Sequence, residues 1–220
     1  MKYKKVLVRQ RGGPEKLEVV EQELRPPLGN EARIRVLATP VCQDDVAVRV
    51  GNRPFLKKTP FTPGYTCIGT VEAVGAEVTA VAVGDRVAAL TNYDSHAEVL
   101  YWPAAELMPV PEMVDPVAAV TLILNYLVAY QILHRVARVK AGDKVLIVGA
   151  SGGVGTAFLQ LGQLAGLKMY GLASASKQHI LNQYGAIPID YRTQDFVQVL
   201  HQPEPDGIDF VFNGMGEEYF

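Results

Sequence analysis

A glycine-rich turn in the second half of the chain has the spacing needed to hold phosphate groups. The run VLIVGASGGVG, residues 145–155, is apolar or β-branched at first and then carries Gly149, Gly152 and Gly155. Such glycines turn the chain, admit a pyrophosphate where a Cβ would obstruct it, and let the next helix approach its strand. Unpaired N–H groups at the start of that helix then face the phosphates. The turn predicts a dinucleotide site built from Gly149, Ala150, Gly152, Gly153, Val154 and Gly155, and a tight βα turn that binds nothing is the alternative.

The segment after the next strand indicates which dinucleotide is bound. Folds that prefer NAD place an aspartate or glutamate there, where it accepts a hydrogen bond from the ribose 2′-hydroxyl. Here the strand runs into GLASASK, residues 171–177, and no acidic residue lies between Asp143 and Asp190. A 2′-phosphate would instead meet the hydroxyls of Ser174 and Ser176 and the ammonium of Lys177. This composition favours NADPH, although helix capping also explains the two serines.

The elements that position these residues alternate between strand and helix. A helix is predicted over residues 118–136, and strands are predicted at 145–148, 168–173, 188–190 and 208–212, with helices at 154–165, 177–184 and 194–201. Such alternation implies right-handed βαβ crossovers and a parallel sheet. Residues 116–220 therefore read as the N-terminal part of a Rossmann doubly wound sheet, with four strands where six are usual.

The first half of the chain has a different pattern, with short apolar runs separated by glycine and proline turns. Strands are predicted at residues 6–8, 17–20, 32–38, 68–74, 86–90 and 97–101, with one short helix at 44–50. Residues 1–115 are therefore expected to form a separate all-β module.

Composition and charge narrow the class of protein. Hydrophobic residues make up 49% of the 220 residues and charged residues 20%, as in an ordinary globular protein. The formal charge is −2 and the basic residues are scattered, which argues against nucleic acid or an anionic membrane as the main partner. The longest apolar stretch, residues 117–133, contains Thr121, Asn125 and Gln131 and suits a buried helix better than a membrane span. With two cysteines, Cys42 and Cys67, and no secretion signal, a cytoplasmic protein with reduced thiols is expected.

Four stretches together resemble the medium-chain dehydrogenase/reductase superfamily. They are PFTPGYTCIGTVEAVG at 60–75, VGDRVAAL at 83–90, the glycine turn, and GAIPIDYR at 185–192. The chain is similar to the zinc-independent quinone oxidoreductase branch, and LNYLVAYQIL at 124–133 resembles the vesicle amine transport protein homologue subgroup. The resemblance implies an α/β plus β fold: a GroES-like β-barrel module followed by a truncated Rossmann sheet. Family members are longer, so it also implies that the second half of the nucleotide domain is absent.

The same resemblance bears on metal binding. Cys42 and Asp45 match the family's zinc-ligating cysteine and its partner aspartate, but the motif that supplies a histidine is Gly64-Tyr65-Thr66 here. A catalytic zinc site needs three protein ligands, and one candidate remains. The cysteine-rich loop of the structural zinc is missing as well, and His96 is expected to be solvated. We therefore expect no metal.

Hydride transfer without zinc points to conjugated acceptors. Their developing charge spreads onto a remote oxygen that a few hydrogen-bond donors stabilise, whereas a simple carbonyl needs a Lewis acid. Quinones and α,β-unsaturated carbonyls are thus the expected substrates. The resemblance implies Cys42, Asp45 and Tyr65 as catalytic candidates and Asn125 and Tyr126 beside them in the cleft. It also implies that Lys177 holds the 2′-phosphate with Tyr191 against it, and that Asn213 and Gly214 lie near the nicotinamide ribose.

Two classes of function remain open. The first is an NADPH-dependent quinone or enone reductase, and the second is an NADPH-binding adaptor with little or no catalysis, as the vesicle-associated relatives suggest. A small-molecule substrate, no nucleic acid and no membrane span are expected. Family dimers form through strands late in the nucleotide domain, so a homodimer is expected for a full-length form.

Overall fold

The computed structural model describes residues 1–52 and 57–215. The chain divides into two compact units, Met1–Leu124 and Asn125–Phe220. The first is mainly β and the second is α/β, as the change of pattern after the first hundred residues indicates.

The first unit contains a hairpin and a larger antiparallel sheet. Strands β1 (Lys2–Val8) and β2 (Leu17–Glu23) pair with each other. The larger sheet has the order β6–β3–β4–β5–β7. Its strands are β3 (Glu31–Ala38), β4 (Thr66–Val74), β5 (Arg86–Leu90), β6 (Val99–Pro103) and β7 (Met108–Pro109), and helix α1 (Gln43–Val50) follows β3.

Strand β4 is buried on both faces and anchors this unit. Because side chains alternate along a strand, Cys67 and Val71 pack into one apolar cluster while Ile68 packs into another with Ala88 and Val120. The loop that enters β4 is thereby held in place at its carboxyl side. That loop carries Gly64 and Tyr65.

A long apolar helix leads from the first unit to the second. Helix α2 (Pro116–Tyr130) continues into a π-helical segment, Gln131–Ala137. By length and composition the whole stretch could cross a membrane, which is weak evidence on its own, since core helices of soluble proteins pass the same test. The expectation of a buried helix is only partly met, since 22% of its most apolar eighteen residues are buried. Ala129 and Leu133 are the fully buried positions that join the core of the second unit.

The second unit is a parallel sheet of order β10–β9–β8–β11 with helices between its strands. Its strands are β8 (Lys144–Val148), β9 (Lys168–Leu172), β10 (Ile187–Ile189) and β11 (Phe210–Asn213), and its helices are α3 (Gly153–Leu164), α4 (Gln178–Gln183) and α5 (Phe196–His201). Counted from β8, the order is 3-2-1-4, which is the Rossmann arrangement. The strand order reverses at β8, so the glycine turn after β8 lies where such sheets bind ligands.

Both faces of this sheet are covered. On one face Val145, Ile147 and Met169 pack with Phe158 and Leu159 of α3. On the other, Leu146, Tyr170 and Ile189 pack with Leu200 of α5. The alternation confirms the predicted doubly wound sheet and places the carboxyl ends of its strands at one edge.

Candidate functional site

The glycine turn, residues 149–152, joins the end of β8 to the start of α3. Gly149 has φ +77°, a conformation that L side chains rarely adopt, and Gly152 caps the N-terminus of α3. The Gly152 N–H donates to the Gly149 carbonyl oxygen at 3.0 Å, which closes the turn. The Thr156 hydroxyl, in the first turn of α3, donates to the Gly152 carbonyl oxygen at 2.8 Å.

The remaining glycines make room for neighbours. A Cβ on Gly155 would overlap the Gly149 carbonyl oxygen, so the absence of a side chain lets α3 pack against the turn. A Cβ on Gly153 would lie 2.6 Å from Nδ2 of Asn125, which shows that the Asn125 amide lies directly against the start of α3. The structure thus places Asn125, a cofactor-binding candidate from the resemblance, beside the glycine turn.

A cavity of about 280 Å³ opens at the carboxyl ends of β8 and β9. Its walls include five of the residues predicted to bind cofactor, namely Gly149, Gly152, Ser174, Lys177 and Tyr191. Three polar or flexible residues that were not predicted also line it, namely Ser151, Arg192 and Met215. The segments after β8, β9 and β10 therefore converge on one cavity.

The charge of this cavity is positive. Lys177 and Arg192 line it, no aspartate or glutamate does so among the described residues, and neither cation forms an ion pair with a described carboxylate. The hydroxyls of Ser174 and Ser176 lie 3.3 Å apart beside Lys177. The arrangement suits an anionic ligand.

The other predicted cofactor residues support the turn from outside the cavity. Ala150 is fully buried in the core, and its N–H donates to the Leu172 carbonyl at 3.2 Å. Val154 packs against the same core. Asn213 pairs in register with Val148, and the Gly214 N–H donates to the Val148 carbonyl at 3.3 Å. The end of β11 therefore lies beside the glycine turn.

In the first unit, Cys42 and Asp45 meet at the start of α1. The Cys42 thiol donates to Oδ2 of Asp45 at 3.1 Å, and the Cys42 N–H donates to the same oxygen at 2.9 Å. Burial, followed by this hydrogen bond, raises the pKa of Cys42 to about 12. The proton of the Cys42 thiol is therefore held by Asp45, and the thiol form is favoured over the thiolate.

Asp45 links α1 to the loop that carries Tyr65. Its Oδ1 accepts from the Gly64 N–H at 2.9 Å, and only glycine fits there, because φ is +110° and a Cβ would overlap the His96 backbone nitrogen. Tyr65 is half-buried, and its hydroxyl makes no hydrogen bond to another residue within ranges 1–52 and 57–215.

The side chain of His96 is largely shielded from solvent, and the expectation of a solvated histidine is wrong. Its side chain is 11% exposed, Nε2 lies 2.9 Å from the Pro40 carbonyl oxygen, and Oδ2 of Asp45 is 3.8 Å away. The burial arises because the Pro63 carbonyl accepts from the His96 N–H at 3.0 Å and holds the residue against the Gly64 loop. No local sequence signal reports a contact across thirty residues.

Tyr126 is engaged within the helix layer of the second unit. Its hydroxyl donates to Oε1 of Gln160 at 2.6 Å, and Nε2 of Gln160 donates to the Tyr184 hydroxyl at 2.9 Å. Burial raises the pKa of Tyr126. The hydroxyl proton of Tyr126, a candidate cleft residue, therefore already has an acceptor in Gln160.

Across the part of the chain that the structure describes, no group of three or more His, Cys, Asp or Glu side chains is arranged to hold an ion. Cys42 donates to Asp45, whereas Nε2 of His96 lies 3.8 Å from Asp45 and contacts the Pro40 carbonyl oxygen instead.

Comparisons with known proteins agree with this architecture. Residues 29–112 match the alcohol dehydrogenase GroES-like domain. The zebrafish (Danio rerio) synaptic vesicle membrane protein VAT-1 homolog is 34% identical over 217 residues, which are 97% of this chain and 45% of that protein. A quinone oxidoreductase of Pseudomonas syringae superimposes with a TM-score of 0.92 at 32% identity, covering 99% of this chain and 68% of the other. The Escherichia coli quinone oxidoreductase complexed with NADPH has a TM-score of 0.85 at 26% identity, covering 92% and 63%.

A GroES-like unit followed by a Rossmann-type parallel sheet is the arrangement of a class of two-domain oxidoreductases. The chain belongs to the medium-chain dehydrogenase/reductase superfamily, in its zinc-independent quinone oxidoreductase branch. It spans about half the length of the curated relatives it matches and about two thirds of the solved chains.

Proposed function

We propose that the chain belongs to an NADPH-dependent, zinc-independent oxidoreductase that transfers hydride to a quinone or an α,β-unsaturated carbonyl. The observation that carries the proposal is the cavity at the carboxyl edge of the Rossmann sheet. It combines the glycine turn with Lys177 and Arg192 and has no acidic lining residue within the described ranges. The complex of the Escherichia coli neighbour with NADPH supports the choice of cofactor.

Each wall of the cavity has a role in this proposal. The N–H groups around Gly152 and the start of α3 take the pyrophosphate. Ser174 and Lys177 take the 2′-phosphate, with Tyr191 beside it. Asn125 and the Asn213-Gly214 pair lie next to the turn and complete the cofactor contacts. NADPH, when bound, supplies the hydride.

The chemistry assigned to the first unit is polar and neutral. Hydride addition to a conjugated acceptor leaves negative charge on a remote oxygen, which a hydrogen-bond donor stabilises. Tyr65 carries a hydroxyl without a partner among the described side chains, so it is the proposed donor. Cys42 and Asp45 position the loop of Tyr65 through the Gly64 N–H. The final proton comes from Tyr65 or from solvent.

Consumption of NADPH tests the proposal. Purified protein is mixed with NADPH and a panel of quinones and enones, and absorbance at the dihydronicotinamide band is followed. We expect turnover that Lys177→Ala slows at subsaturating NADPH and that Lys140→Ala, which removes an equal charge away from the cavity, leaves unchanged. Absence of turnover with every acceptor, despite NADPH binding, would contradict the enzymatic proposal.

An NADPH-binding adaptor is the second candidate, favoured by the vesicle membrane protein names of the curated relatives. It requires the same cofactor cavity without productive placement of a substrate. Binding of NADPH without turnover of any acceptor would support this candidate over the reductase.

The proposed reductase function also carries a proposed domain division, cellular location and oligomeric state. We assign residues 1–115 to the substrate and catalytic domain and residues 116–220 to the dinucleotide domain, in a cytoplasmic protein that dimerises in a full-length form. Fractionation of cells expressing tagged protein tests the location: recovery with the membrane pellet after a salt wash would contradict it.

A further inference from the structure

We infer that Arg192 is a specificity-determining residue, which together with Lys177 holds a phosphate monoester on the adenosine ribose. The inference rests on the proposed function, since it concerns the same cavity. The sequence assigns this phosphate to Ser174, Ser176 and Lys177, with Tyr191 against it. Arg192 adds a second cation from a different strand.

The turn after β10 fixes the backbone of Arg192. Asp190 is buried, and its Oδ1 accepts from the Arg192 N–H at 3.0 Å. The Asp190 carbonyl accepts from the N–H groups of Thr193 and Gln194 at 3.1 and 2.9 Å. Oε1 of Gln194 closes the turn by accepting from the Asp190 N–H at 2.9 Å. Because β10 is parallel to β9 and β8, this turn lies at the same edge of the sheet as the glycine turn.

Charge balance at the cavity calls for an anion. Lys177 ends a short 3₁₀ turn, Ala175–Lys177, after β9, and Arg192 approaches from the turn after β10. Neither side chain is neutralised by a carboxylate within the described ranges, and the carboxylate of Asp190 accepts from a backbone N–H. Two cations on one cavity repel each other, and a bound dianion removes that repulsion.

The guanidinium of Arg192 supplies geometry that an ammonium lacks. Its planar fork matches two oxygens of a phosphate, whereas Lys177 acts as a point charge. The Arg192 Cζ atom lies 5.7 Å from the centroid of the Tyr191 ring, which limits the directions the fork takes. A terminal phosphate monoester, with two charges and three free oxygens, fits this pair better than the pyrophosphate diester held at the glycine turn.

Fragments of the cofactor isolate this subsite. Calorimetric titrations of the full chain with 2′-AMP and with 5′-AMP compare the ribose phosphate with the phosphate that occupies the glycine turn. Arg192→Ala is expected to lower the affinity for 2′-AMP by about tenfold and the affinity for 5′-AMP by less than about twofold. The reason is that one charge-assisted contact to one phosphate is lost. Arg192→Lys is expected to fall between wild type and Arg192→Ala. Arg135→Ala removes an exposed charge of the same unit away from the cavity and serves as the matched control.

The outcomes separate this inference from the proposed function. If Lys177→Ala abolishes the preference for 2′-AMP while Arg192→Ala leaves it intact, Arg192 has no part in the subsite and the NADPH assignment stands. If wild type shows no preference for 2′-AMP at all, the NADPH assignment fails with it. If Arg192→Lys loses affinity for 2′-AMP and 5′-AMP equally while its melting temperature is unchanged, a specific role of Arg192 at the ribose phosphate would also be overturned.

Discussion

At the scale of single residues, Lys177 is the proposed contact that distinguishes NADPH from NADH. It lines the cavity and has no carboxylate partner in the described ranges, and the acidic residue that would select NAD is absent from the end of β9. We expect NADPH to bind at least about tenfold more tightly than NADH, and Lys177→Ala to remove most of that difference, because a charge-assisted contact to phosphate is lost. Fluorescence titration with both cofactors measures the ratio. Equal affinities in wild type would refute the assignment.

Cys42 allows a second residue-scale prediction. Its pKa is raised to about 12 by burial and by the bond to Asp45, so its alkylation by iodoacetamide at pH 8 should be slow. Asp45→Asn removes a charge that favours the thiol, lowers the pKa of Cys42 and should speed its alkylation several-fold. Mass spectrometry reports the rate. Cys67, whose pKa is raised to about 12 by burial alone, is the internal control: a parallel rise there would indicate unfolding instead.

At the scale of elements, the turn between β8 and α3 uses its glycines in two ways. A Cβ on Gly155 would collide with the Gly149 carbonyl, so Gly155→Ala must displace α3 and should cost up to ~3 kcal/mol of stability. A Cβ on Gly152 would lie 3.3 Å from the same oxygen, and Gly152→Ala should cost roughly 1 kcal/mol through the weaker cap. Because Gly152 lines the cavity, Gly152→Ala should still weaken NADPH binding. Paired thermal melts and titrations distinguish the two glycines, and equal melting temperatures would contradict this division.

Glu204 forms ion pairs at the amino ends of β8 and β9, the edge of the sheet opposite the glycine turn. The buried carboxylate lies 2.6 Å from Nζ of Lys144 and 2.5 Å from Nζ of Lys168, at the first residues of β8 and β9, and it accepts from the Tyr170 hydroxyl at 2.6 Å. These partners, the two lysines first, lower the pKa of Glu204 to about 2. Stability from this group is therefore complete above the ordinary carboxyl pKa near 4.5 and is lost as pH falls towards 2.

Replacing Glu204 tests this linkage. Glu204→Gln should lower the melting temperature at pH 7 by several degrees, and the difference from wild type should shrink between pH 4.5 and pH 2. Water screens the half-exposed Lys168, which limits the size of the effect. Glu106→Gln, an exposed position of the first unit, is the control and should leave the melting temperature unchanged. A pH-independent difference would show that packing alone is responsible.

At the scale of the whole molecule, the helical stretch Pro116–Ala137 sets a choice between a protein core and a membrane. Its length and composition suit either, but Ala129 and Leu133 already lie in the core of the second unit and Tyr126 donates to Gln160. We expect the chain not to float with neutral or anionic vesicles in a density gradient. Insertion of the helix would break the hydrogen bond between Tyr126 and Gln160 and expose the Tyr126 hydroxyl to hydrocarbon. Flotation with neutral vesicles would contradict this expectation.

Local sequence patterns were sufficient to predict most of the elements and their order. Glycine spacing, period-two runs and strand–helix alternation located β5 at Arg86–Leu90, α1 within one residue, and every strand of the parallel sheet within two residues. These signals are local, because each comes from backbone conformation or from one face of one element. The absence of an acidic residue before Lys177 is likewise a local signal, and it favoured NADPH over NADH. Asn125 could be placed only through the resemblance, since its contact with Gly153 joins two helices.

Which side chains meet depends on the tertiary fold. His96 is largely shielded because it lies against the Gly64 loop. Tyr126 is engaged because Gln160 faces it across two helices, and Arg192 reaches the cavity because β10 lies parallel to β9. Burial and charge pairing depend on neighbours that are distant along the chain, and no periodicity reports them. The glycine turn could be recognised from eleven residues, whereas its second cation became visible only when three strands brought their carboxyl ends together.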